Sequence, residues 1–138
     1  MAEYRDQYEK IRATGADVSA VSVDGPERSE SVRRQFELPF PILCDTRREV
    51  AKAWGVLNPE SRGGIAEPAV FIVASDRRIR FSSRDSESKR VPAAAVAELL
   101  AGEARPDAVE RRTLIPSVRD FLRATASVFR FGMKSPRE

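Results

Sequence analysis

Residues 38–56 read LPFPILCDTRREVAKAWGV, and this stretch decides the fold. Pro39 and Pro41 exclude a helix and leave a short extended piece from Phe40 to Cys44. Asp45 or Thr46 then caps a helix, and Glu49 stands three residues after Thr46, where a capping box places its acid. That helix runs to Trp54 and stops at Gly55. A strand followed at once by a capped helix is one turn of an α/β winding, and the flanking sequence supplies the other turns.

Upstream, Tyr4, Tyr8 and Ile11 in EYRDQYEKIRAT (3–14) recur at i, i+4 and i+7, one face of a helix that Gly15 terminates. Val18 to Val23 form a β-branched run of strand length. Pro26 suits a first helical position, and the helix 27–37 buries Val32 and Phe36. Downstream, LNPESRGGIAE (57–67) is a loop. Val70–Val73 and Ile79–Phe81 flank the polar turn Ser75–Arg78, a β-hairpin. Pro92 opens the helix 92–102, which Gly102 ends. Gly63 and Gly64 follow no strand and open no helix, so they do not form a phosphate loop.

Composition narrows the chemistry. The 138 residues form one domain by length, 41% apolar and 33% charged. With no histidine and one cysteine, zinc clusters and Ser-His-Asp catalysis are excluded, and no metal or other cofactor is expected. The single cysteine forbids an intrachain disulfide, which suits a reducing cytoplasm, the expected location. No stretch reaches the roughly 20 apolar residues of a membrane span, and residues 1–12 lack the apolar run of a secretory signal. The net charge is +3, and all of the excess lies in 103–138, which carries 8 basic and 5 acidic groups. Basic and acidic residues alternate rather than form a stripe, and no nucleic-acid motif is present, so nucleic acid is not an expected partner.

The tail differs in character. ARPDAVERRTLIP (104–116) is a connector. In 117–131, Val118, Phe121, Leu122, Thr125, Val128 and Phe129 share one face at helical spacing, with Ser117 as N-cap and Gly132 as stop. The chain therefore divides into a domain at 1–102 and, at 103–138, a connector with a C-terminal amphipathic helix. Docking of this helix on protein is expected, and membrane association is not.

The order of these pieces, together with YEKIRATGADVSAVSVD, LPFPILCD and VAKAWGV, resembles the middle of an alkyl hydroperoxide reductase/thiol-specific antioxidant domain, the peroxiredoxins and their redoxin relatives. EPAVFIVASDRRIRF (67–81) is similar to the family's hairpin, with Arg78 at the usual turn glycine. The resemblance covers residues 3–101 and implies an α/β, thioredoxin-like fold, truncated at the N-terminus.

It also implies that relatives reduce peroxides or disulfides through a thiolate that attacks the O–O or S–S bond, with a thiol reductant protein as partner. The peroxidatic cysteine of the family lies in the first turn of the helix whose end is Tyr4–Thr14 here. That turn and the central strand before it are expected upstream of Met1, leaving the strand at 17–23 and the first hairpin strand, 69–74, unjoined. On that expectation the chain is inactive as a peroxidase. The alternative is a non-catalytic binding or assembly module built on the thioredoxin-like surface and the C-terminal helix, including a homo-oligomer.

Two site residues follow. Cys44, the only thiol, is the catalytic candidate. A half-buried strand-end residue, a resolving or regulatory thiol and a primary nucleophile stay open for it, the first being favoured. A helix beginning near Thr46 and the neighbouring Arg47 and Arg48 are what would activate it. Pro68, before the hairpin, is the substrate-binding candidate, at the place where thioredoxin-like proteins hold a cis-proline. The arginine that many peroxiredoxins place just before this strand is absent, with Arg62 the nearest candidate in the preceding loop. Trp54, Phe36, Phe40 and Phe71 are expected in the core.

Overall fold

The computed structural model describes residues 1–60, 64–86 and 89–113. The Arg62 and C-terminal-helix expectations lie outside these residues. Two short helices, α1 (Ala2–Asp6) and α2 (Tyr8–Ala13), stand where one was expected. They are broken only at Gln7, whose N–H bonds the Glu3 carbonyl at 3.1 Å. Next come β1 (Ala20–Ser22), α3 (Pro26–Gln35), β2 (Ile42–Cys44) and α4 (Glu49–Ala53).

β3 (Leu57–Asn58) and β4 (Ile65–Ala66) form a small antiparallel pair within the expected loop, and the hairpin β5 (Ala69–Val73) and β6 (Ile79–Arg84) follows. β7 (Lys89–Arg90) leads to α5 (Ala93–Ala101), a 3-10 turn at Pro106–Ala108 and β8 (Arg112–Thr113), which pairs with β7.

β1 and β2 are parallel, pairing Ala20 with Ile42, Val21 with Leu43 and Ser22 with Cys44. α3 is the crossover between them and packs on β2. The β1–β2 and β5–β6 ladders are not joined through any strand among the described residues, so the expected interruption of the sheet is present. The core lies between the N-terminal helices and α5, where Ile11, Leu38, Phe40, Val91, Ala93, Val96 and Ala97 are buried. Tyr8 lies over Phe40, ring centroids 5.9 Å apart. Gly102 ends α5 in the left-handed conformation (φ +75°), and the Glu103 N–H returns to the Glu98 carbonyl at 2.9 Å.

Three local expectations are settled or corrected. Of the two caps open for α4, Asp45 holds its start and the Thr46 capping box does not form: the Asp45 carboxylate accepts the N–H groups of Val50 (3.2 Å) and Ala51 (2.8 Å). Arg48, left-handed at φ +59°, takes the N-cap position. In the hairpin turn the positive φ falls on Arg77 (+64°), so Arg77 and not Arg78 occupies the turn-glycine place. Trp54 is 42% exposed rather than core, while Phe40 is buried and Phe36 and Phe71 are half-buried.

Candidate functional site

The chain's only thiol lies where β2 ends. Its register partner is Ser22, and the Asp45 N–H just beyond it bonds the Ser22 carbonyl at 2.7 Å. Cys44 is exposed rather than half-buried, and its sulfur has the Ile42 carbonyl oxygen at 4.0 Å. α4 begins five residues later, and its first N–H groups are taken up by Asp45. The neighbouring guanidinium of Arg48 donates to the Gly64 carbonyl (2.9 Å) and the Thr46 carbonyl (3.0 Å). Gly64 (φ +96°) packs against that side chain, which accounts for one of the two loop glycines. Of the features that would activate the thiol, the helix start and Arg48 are committed elsewhere, and Arg47 is exposed.

Pro68 lies at the foot of β5, in the other ladder, so no shared ladder brings it to Cys44. The peptide bond before it is trans, which corrects the cis-proline expectation. Its carbonyl accepts the Asp85 N–H at 2.8 Å, so this backbone acceptor is engaged within the protein.

Asp85 organises a polar cluster that local sequence patterns do not announce. Its buried carboxylate accepts from the Ser83 hydroxyl, the Val91 N–H (3.0 Å) and Arg111 Nε (3.2 Å). These bonds tie the end of β6 to the entry of α5 and to the connector. The Tyr4 hydroxyl is buried beside this charge with no hydrogen-bond partner among the described residues. Burial first, then the charges of Asp85 and Glu3, hold its proton above the usual tyrosine range. The Glu3 carboxylate accepts the Ala93 N–H at 3.4 Å, at the start of α5. Residues 3, 4, 83, 85 and 111 share no sequence spacing, and the only signal was an acid just past an apolar strand. Among the described residues, no group of His, Cys, Asp and Glu side chains has metal-holding geometry.

A parallel ladder with a crossover helix, followed by an antiparallel hairpin and a helix, defines a thioredoxin-like α/β protein. The profile of the AhpC/TSA family matches residues 1–82, and the chain belongs to that family. It is 40% identical over 53 residues to chloroplastic peroxiredoxin Q of Sedum lineare, covering 38% of this chain and 28% of that protein. Chloroplastic peroxiredoxin Q of Populus jackii is 38% identical over the same length, covering 38% and 25%. The chain thus spans about a quarter of the length of the curated relatives it matches.

Mycobacterium tuberculosis AhpC superposes with a TM-score of 0.66 at 30% identity, over 73% of this chain and 57% of that one. Enterococcus faecalis AhpC gives the same TM-score at 20% identity, over 73% and 62%, a likeness of fold. The chain is therefore a peroxiredoxin-like redoxin, related to thiol peroxidases. The expectation of a cytoplasmic location is overturned by the peroxiredoxin Q relatives, which are chloroplastic by name. A lone cysteine excludes an internal disulfide in any compartment, so it never discriminated between them.

Proposed function

We propose that this chain carries the peroxiredoxin-like scaffold without peroxide turnover. The observation that supports the reading is the setting of Cys44, the only sulfur nucleophile in 138 residues. It stands exposed at the end of β2, with the α4 N-terminus capped by Asp45 and Arg48 held by two carbonyls. Peroxide reduction needs a thiolate held in a desolvated, cationic setting so that it attacks the O–O bond and becomes a sulfenic acid. A second thiol source must then regenerate it, and a chain without the first step has no use for that reductant partner.

The purified chain, given hydrogen peroxide and a thiol reductant, is expected to consume peroxide no faster than Cys44→Ser. Turnover in the parent that vanishes in Cys44→Ser overturns the reading.

A second reading, a binding or assembly module, is favoured by the strand edges of β1 and β5 that pair with no strand among the described residues. Such edges are templates for another chain. Sedimentation of the parent at several concentrations tests it: a monomer throughout counts against self-assembly.

A further inference from the structure

β2 pairs with β1 on one side, and no strand among the described residues borders its other side. The Ala20 N–H reaches the Pro41 carbonyl at 3.0 Å, and the Asp45 N–H reaches the Ser22 carbonyl at 2.7 Å. In a parallel ladder of this register, residues 41, 43 and 45 turn their backbone groups to β1, while Ile42 and Cys44 turn theirs outward. Each of these two residues thus offers a donor and an acceptor. Among the described residues, these groups have no partner beyond the Cys44 sulfur, 4.0 Å from the Ile42 carbonyl oxygen. Pro41 lacks its N–H on the β1 side, and residues 42–44 carry no charge. Neither proline nor charge therefore blunts the outer edge.

The side chain between the two outward residues is apolar and uncovered. Leu43 stands beside Val21 in the register, so both lie on one side of the ladder. They are 53% and 48% exposed, although parallel ladders ordinarily have both faces covered. The outward groups are spaced evenly about Leu43, which makes the edge complementary to itself. A second β2, antiparallel and turned about a two-fold axis at Leu43, pairs Ile42 with the partner's Cys44 on both sides of the axis, and every outward group is bonded. The same turn sets the two Leu43 side chains against each other, with Val21 on either flank. Glu37 before the strand and Arg47 just after it are exposed, with no ion pair among the described residues. An antiparallel copy brings that acid toward that base.

We infer that the outer edge of β2 pairs with the same edge of a second copy, antiparallel about Leu43, in one β1–β2–β2–β1 sheet. The inference rests on the assembly reading and deepens it by naming the edge and its occupant. Three residues a side make a small interface, so the dimer is weak.

Sedimentation equilibrium of the full chain is expected to show a dimer at ~100 μM that dissociates on roughly hundredfold dilution. Leu43→Lys sets like charges across the axis at an exposed position. It is expected to weaken association about tenfold, with circular dichroism unchanged. Oxidative cross-linking with copper phenanthroline reads the register. Leu43→Cys/Cys44→Ser puts two thiols ~5 Å apart across the axis and is expected to join about tenfold faster than either control. In the parent, Cys44 meets its copy on the diagonal, ~7–8 Å away, too far for a bridge. In Val21→Cys/Cys44→Ser the thiols lie three strand spacings apart, ~14 Å. All three positions are exposed, so accessibility does not produce this order.

Equal cross-linking at the three positions, or a dimer indifferent to Leu43→Lys, overturns the β2 pairing and leaves assembly through another surface. A monomer at every concentration overturns the pairing and self-assembly together.

Discussion

At Asp45 one carboxylate holds two N–H groups of α4, while its own N–H is held by the Ser22 carbonyl. The residue thereby fixes the end of β2 and the start of the next helix together. Asp45→Ala is expected to cost about 1–2 kcal/mol in denaturant unfolding, the loss of a cap in a buried setting. Asp45→Asn keeps one acceptor and is expected to fall between Asp45→Ala and the parent. Tyr4 gives a second prediction at this scale. Its hydroxyl is buried without a partner, and its proton is held more tightly in the folded chain than in the unfolded one.

A group whose folded-state pKa is raised contributes fully below its unfolded value, 10.0 here, and that contribution is lost as pH rises beyond it. Stability is therefore expected to fall above about pH 10, and Tyr4→Phe to flatten that fall, as followed by urea unfolding across the alkaline range. At pH 7 the same variant is expected to gain about 1 kcal/mol, since it removes an unsatisfied buried hydroxyl.

Along α3, Glu30 accepts hydrogen bonds from Arg33 (2.7 and 2.9 Å) and Arg34 (2.7 Å). These bonds lower its pKa from 4.5 to about 2. A lowered carboxylate contributes above its unfolded value, and the contribution disappears as pH falls from 4.5 toward 2. Glu30→Gln is expected to melt below the parent at pH 7 and together with it near pH 2, as read by circular dichroism across that range.

Elements of this kind were the most legible part of the sequence. α5 runs from Ala93 to Ala101 between Pro92 and Gly102, and the hairpin lies within a few residues of its apolar runs. What local pattern missed was decided at a distance. By sequence Asp45 and Thr46 are both open as caps of α4, and the anchoring of Asp45 by β1 decides between them. Trp54 has a core residue's identity, but its aromatic partner lies in another ladder and covers only one edge. The Asp85 cluster draws on five side chains from three parts of the chain. Pro68 stands just before β5, as its sequence indicates, but no spacing rule distinguishes a cis from a trans bond there.

Across the whole molecule, the N-terminal helices and α5 share a core, and the Trp54–Phe71 contact and the β3–β4 pair provide further links. No strand among the described residues connects the β1–β2 ladder to β5–β6, so these links replace a continuous hydrogen-bonded sheet. The family likeness was legible because the order of strands and helices survives in the sequence. The thiol's role was less so, since exposure and the partners of Arg48 are properties of the folded chain.

The unjoined ladders carry a consequence for cooperativity. A sheet hydrogen-bonded from edge to edge melts as one unit, whereas ladders tied only by side-chain packing open at separate free energies. Scanning calorimetry is expected to return a van't Hoff enthalpy smaller than the calorimetric one, and coincident values would show a single transition. The first domain-sized event in heating this protein should then be the parting of two half-sheets, with the α5 core still intact.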